Sequence, residues 1–216
     1  MKHSRYDFIL VLLLLLQISL LIIPFIIDFS PLALGFLFVI NVFMMGTNYQ
    51  CIAHNFIHLP FFNSKILNQF FSILNTLGLG VPQSIYRLHH LNHHRFNNRP
   101  DGDMSSTYRY GKNGKEENIV TYSLLGVIRT DLVGLYQKGS KTSKLPIIET
   151  LTLLAFLIIL SIVNWKLCLV YLIPSYLGGQ VFAVWENYCE HHHADPNDRQ
   201  RDSVSCYNSI YNFLWF

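Results

Sequence analysis

The sequence predicts an all-α integral membrane protein with four transmembrane helices in two hairpins, interfacial helices, and a cluster of histidines at the cytoplasmic face. Three observations predict it. First, 51% of the residues are hydrophobic and only 13% are charged, which is not the surface inventory of a water-soluble domain. Second, four stretches are long and apolar enough to cross a bilayer. Third, fifteen of the sixteen Lys and Arg residues lie outside those stretches and the short turns joining them, with Lys166 the exception.

Phe8 to Ile27 is a run of twenty residues, apolar except at Gln17 and Ser19, and as a helix it rises about 30 Å. No small-residue cleavage site follows, so it reads as an uncleaved span (residues 8–27) and not as a signal peptide. Asp28 and Pro31 turn the chain into the second span, residues 32–51. A cytoplasmic segment, 52–144, follows. Within it, Ser64 to Thr76 separates on a helical wheel, with Ile66, Leu67, Phe70, Phe71, Ile73 and Leu74 opposite Lys65, Asn68, Gln69, Ser72 and Asn75. That pattern predicts a helix lying in the membrane interface.

The polar section from Asn97 to Asn118 reads as a surface loop, and Asn118 to Gln137, apolar but carrying Arg129 and Asp131, as interfacial. Residues 145–163 and 167–185 are the third and fourth spans, joined by a turn at Asn164 to Lys166; a cytoplasmic tail, 186–216, completes a single domain of 1–216. Both hairpin turns fall on one side, and the distribution of Lys and Arg then places both termini in the cytoplasm. The net charge of +3 is therefore topological, and no basic helix marks a nucleic-acid partner. Cys51, Cys168, Cys189 and Cys206 have no C-x-x-C spacing and are expected as reduced thiols.

Nine of the ten histidines gather into three groups. His54 and His58 (HNFIH) stand four apart just past the second span, so a continuing helix projects both from one face. In RLHHLNHH, His90, His93 and His94 fall within an arc of roughly 100°, and His89 widens it by only about 40°. The third group, His191 to His193, follows the fourth span; consecutive residues point about 100° apart, so spacing leaves open which of them faces a shared centre. A lone H-x-x-x-H at a membrane boundary is more often polar decoration. What favours ligation is that the topology delivers all three groups to one face. Six or more imidazoles exceed the needs of one tetrahedral ion and point to two metals, although donor type does not choose among iron, zinc, copper and nickel.

HNFIH, HHLNHH and the four-span plan together resemble the integral-membrane fatty acid desaturase and hydroxylase superfamily, and ENYCEH (Glu186 to His191) is similar to a motif of the related alkane and xylene monooxygenases. The resemblance spans about residues 35–216. It implies two non-haem iron ions, O2 as cosubstrate, a membrane lipid or acyl-thioester substrate, and an electron donor of cytochrome b5, ferredoxin or rubredoxin type. It transfers the ligand role to His54, His58, His90, His93, His94 and His191, and places Asn187 and Glu190 behind them, Asn187 holding a metal-bridging water. His89, His192 and His193 receive no role.

Two departures matter: Asn55 stands where many desaturases have Asp, and no final H-x-x-H-H precedes Phe216, so the chain is expected to be a C-terminally truncated copy. The reading that follows is an oxygen-dependent di-iron fatty acid desaturase. The rivals are a hydroxylase on the same scaffold, a catalytically incomplete or lipid-binding protein, and a membrane metal carrier. Carriers place their sites near the bilayer midplane, whereas no span here contains an internal histidine.

Overall fold

The computed structural model describes residues 1–195, Asp198 and Ser203; Cys206 and the aromatic end at Phe216 lie outside them. The described residues form nine α-helices and no strand. Helix α1 (Asp7–Ile22) ends in a 3-10 turn at Ile23–Phe25. Helix α2 (Pro31–Thr47) starts with Pro31, which lacks the amide a first turn cannot use, and is capped by Ser30, whose Oγ accepts from the Ala33 amide at 3.3 Å. A π-helical stretch, Asn48–Ala53, joins α2 without interruption to α3 (His54–His58), so the second apolar helix runs from Pro31 to His58. The histidine pair is thus an extension of a span.

Helices α4 (Lys65–Leu79) and α5 (Gln83–Phe96) follow, then α6 (Ile119–Arg129) and α7 (Leu132–Thr142), which meet at a bend of 44°. The interfacial stretch expected from Asn118 to Gln137 is therefore two helices, broken where Asp131 turns its carboxylate back to accept from the Gly134 amide at 2.8 Å.

Helix α8 (Leu145–Leu167) and α9 (Ile173–His191) are linked by a π-helical stretch at Cys168–Leu172, immediately before Pro174, which has no amide to complete the α-helical ladder. At Asn164 the backbone is extended (φ −158°, ψ 91°), and Asn164 Oδ1 accepts from the Leu167 amide at 3.1 Å, an N-cap for the next helix. The predicted turn at Asn164 to Lys166 thus coincides with a break in the long apolar run. Helix α9 runs past the expected end of the fourth span at residue 185 to His191, so Asn187, Glu190 and His191, at the start of the expected tail, lie on that helix.

Among the described residues, three helices are long and apolar enough to cross a membrane, Asp7–Phe25, Pro31–His58 and Leu145–His191, the last interrupted at Asn164. Their outward residues are Leu, Ile, Val and Phe, such as Leu12, Phe36, Val39, Ile158 and Ile162, an exposed apolar surface that water does not tolerate but lipid does. Inside, an apolar core that includes Leu14, Leu21, Met45 and Leu172 also holds a network of buried amides. Gln17 is fully buried, donating to the Gly78 carbonyl (2.8 Å) and accepting from Asn48 (2.7 Å). Asn48 also donates to Asn75 (2.8 Å), and Asn75 to Gln83 (2.9 Å).

The same network qualifies the reading of α4. Its buried side carries Ser72, Asn75 and Thr76 beside Phe71, and its exposed side carries Ile66 and Phe70 beside Lys65 and Gln69, so the inner face is mixed and not the apolar one alone. Where lipid is the solvent, side-chain amides find their partners only inside. Replacing Asn48 by Leu leaves acceptors on Gln17 and Asn75 without their donor, at about 1–3 kcal/mol. The expected result is a thermal midpoint lowered by several degrees in detergent, followed by circular dichroism; an unchanged midpoint refutes the network's contribution.

Helices α2 and α9 approach closely through small residues. A Cβ on Gly179 would collide with Met45 Sδ, and one on Gly46 with the Phe182 ring. Gly80 closes α4 at φ 69°, against Tyr176, and turns the chain into α5. These contacts bring the ends of α3, α5 and α9 together.

Candidate metal centre

Four of the predicted histidines converge. One ring nitrogen from each of His54, His58, His90 and His94 lies within 4.8 Å of all the others. His58 Nε2 is 3.0 Å from His90 Nε2 and 3.2 Å from His94 Nε2, and these two are 2.9 Å apart. Three nitrogens in a triangle cannot all hydrogen-bond, because each is either donor or acceptor and two must share a role. A cation at the centre satisfies all of them at once. Imidazoles held tetrahedrally at about 2.1 Å would place their nitrogens roughly 3.4 Å apart, so the donors fit a metal after a shift of a few tenths of an ångström.

His93 and His191 form a second group, with Nε2 atoms 2.9 Å apart. His93 Nδ1 donates to Asp103 Oδ2 at 2.6 Å, which fixes the ring and leaves Nε2 facing His191. Asp103 is completely buried and also accepts from the amides of Asn98 (2.8 Å) and Ser105 (2.7 Å). Burial pushes its carboxyl up, but the hydrogen bond and charge of His93 and the two amides outweigh this and hold it below its ordinary value. Burial, and after it the imidazoles of His54, His94, His58 and His93, pushes His90 down to about 2, so this ring stays neutral and free to ligate.

The six histidines expected as ligands therefore fall into a group of four and a pair, linked through the adjacent rings of His93 and His94. Of the three histidines that spacing left open, His191 faces the centre, and His192 and His193 turn to Glu116. His89, also without an assigned role, meets Ser105 Oγ at 3.1 Å instead. Asn187, expected to hold a bridging water, donates to the Tyr122 hydroxyl at 2.6 Å, which itself donates to the Ser105 carbonyl. Asn187 and Glu190 both line a cavity of about 1030 Å³, together with Tyr86, His54, His90 and Val184.

Asp103 was not anticipated, and the loop at 97–118, expected on the surface, also sends side chains into the protein. Asn97 and Asn98 adopt left-handed conformations that stop α5, and the segment packs inward, burying Asn98, Asp103, Ser106 and Thr107. These polar side chains bond one another and the loop backbone, which makes their burial tolerable. The one available signal was an acidic residue shortly after the second histidine group, and no spacing rule picks Asp103 over Asp101.

The sequence profile of the fatty acid desaturase family matches residues 28–216. The chain belongs to the fatty acid desaturase family. No curated protein and no solved structure matches it. Family membership carries a fatty-acyl oxidoreductase function of desaturase or hydroxylase type, a lipid substrate and an electron donor. The apolar helices agree with a membrane-embedded desaturase-family protein, and the histidine groups with a metal site.

Proposed function

We propose that this desaturase-family protein is an oxygen-dependent fatty acid desaturase with a di-iron centre held by His54, His58, His90, His93, His94 and His191. The observation that carries the reading is the triangle of His58, His90 and His94 nitrogens, which no choice of tautomers satisfies and a cation does. Bound there, a di-iron centre supplies the oxidising power, from O2 and two external electrons, to remove hydrogen from an unactivated methylene. The protein's part is placement. The cavity beside His54 and His90 has apolar walls at Val81, Ile85 and Val184 that would seat an acyl chain and exclude water. Asp103 orients His93, and Tyr122 holds Asn187 at the cavity wall.

In this proposal the chain is one domain with four spans, two hairpins broken near Asp28 and Asn164. Both termini and the metal centre face the cytoplasm, as the fifteen Lys and Arg residues on that side favour. The substrate is a membrane lipid or acyl thioester, and the electrons come from a cytochrome b5, ferredoxin or rubredoxin type carrier. Expressing the chain in a host with a defined lipid pool tests this. New double bonds in total fatty acids, dependent on oxygen and on bound iron, are expected. Hydroxylated chains would move the assignment to hydroxylase, and an unaltered lipid pool from iron-loaded, reduced protein would overturn the catalytic reading.

A further inference from the structure

A second constellation lies outside the desaturase histidines. Glu116, His192 and His193 each offer a donor atom, and the three atoms lie within 4.8 Å of one another. His192 Nδ1 is 2.8 Å from Glu116 Oε2, and His193 Nδ1 is 3.6 Å from the same oxygen. The closer approach is not a hydrogen bond: His192 Nδ1 has no surface left for water and no partner in hydrogen-bonding geometry. The carboxylate itself is held in place. Thr107 Oγ1 donates to Oε1 at 2.8 Å, and the His193 amide donates to Oε1 and Oε2 at 3.1 and 3.2 Å. The His193 side chain is 77% exposed, so one side of the group is open to solvent.

Two imidazole nitrogens and one carboxylate oxygen, oriented by a hydroxyl and an amide, with an open fourth direction, make the donor set that borderline divalent cations prefer. We propose that Glu116, His192 and His193 bind a zinc-class divalent cation, separate from the centre at His54, His58, His90 and His94. Ligation at Nδ1 gives the stranded His192 nitrogen its partner. The ion ties the 97–118 segment, which carries Asp103, to the end of α9 directly after His191. It is therefore a positioning clip: it fixes the helix end that presents His191 to His93.

The test uses the full chain, purified in detergent and loaded with iron, titrated with Zn2+ and in parallel with Co2+. Bound metal is counted by elemental analysis, and the Co2+ site is read from its visible spectrum. The wild type is expected to take up one zinc per chain with its iron content unchanged. Co2+ bound there should give the intense bands of a four-coordinate N2O site without thiolate absorption. Glu116→Gln and His193→Ala should each weaken zinc binding at least about 10-fold while iron is retained, which shows that both variants are folded. Zinc uptake only at the expense of iron, no uptake, or equal affinity in both variants would each overturn the clip. None of these outcomes bears on the desaturase centre, whose iron is counted separately.

Discussion

Alanine in place of His90 is expected to empty the four-histidine site. His90 is 7% exposed, and its Nε2 faces both His58 Nε2 and His94 Nε2, so removing it takes one corner from the triangle and leaves three imidazoles where four converge. Loss of a residue behind a ligand typically costs 10–100-fold in metal affinity, and loss of the ligand itself should cost at least about that. His89→Ala is the matched comparison, one position away on the same helix but bonded to Ser105. Iron per chain, measured after desalting, should fall below about a tenth of wild type for His90→Ala and stay near wild type for His89→Ala. Desaturated product should follow iron. Equal iron in both variants would refute the assignment of the ligands.

The contrast between these neighbours marks where sequence reasoning reached its limit. The helical arc needed widening by only about 40° to admit His89, too little for periodicity alone to set it apart from His90. The apolar helices, the break at Asn164 and the convergence of HNFIH with RLHHLNHH were legible, since each rests on local chemistry: apolar runs, a capping side chain, and equal spacing on one face. The inward turn of Ser72 and Asn75 was not. An amphipathic pattern reports that two faces differ, but which one meets the protein depends on whether the neighbours are Gln17 and Asn48 or lipid tails. Spacing alone could not choose His191 over His192 and His193, and only the ENYCEH resemblance singled it out, because the choice depends on where α9 stops, and the helix outlasts the apolar run by about two turns.

Asp103 is the strongest case of a residue that only the fold could identify, and replacing it by Asn is expected to weaken iron binding about 10–100-fold without removing any ligand. The carboxylate accepts three bonds, from His93 Nδ1, the Asn98 amide and the Ser105 amide, and its charge strengthens each of them. An amide of the same size has one acceptor oxygen and a donor group that would meet donors. The Nδ1 proton of His93 is then held weakly, the ring can turn or change tautomer, and Nε2 no longer faces His191 as a fixed lone pair. The measurement is iron release to a chelator, expected to be faster in Asp103→Asn, together with an altered spectrum of the iron that remains. A merely structural contribution would lower the thermal midpoint of the metal-free protein and leave the iron spectrum of the folded fraction alone. The metal-free protein gives a further check. Because the folded carboxyl titrates below its unfolded value of 3.8, its stabilisation is complete above that pH and is lost as the pH falls through the folded value. Asp103→Asn should remove that part of the acid sensitivity. Wild-type iron affinity and spectrum in the variant would dismiss Asp103 as the group that orients His93.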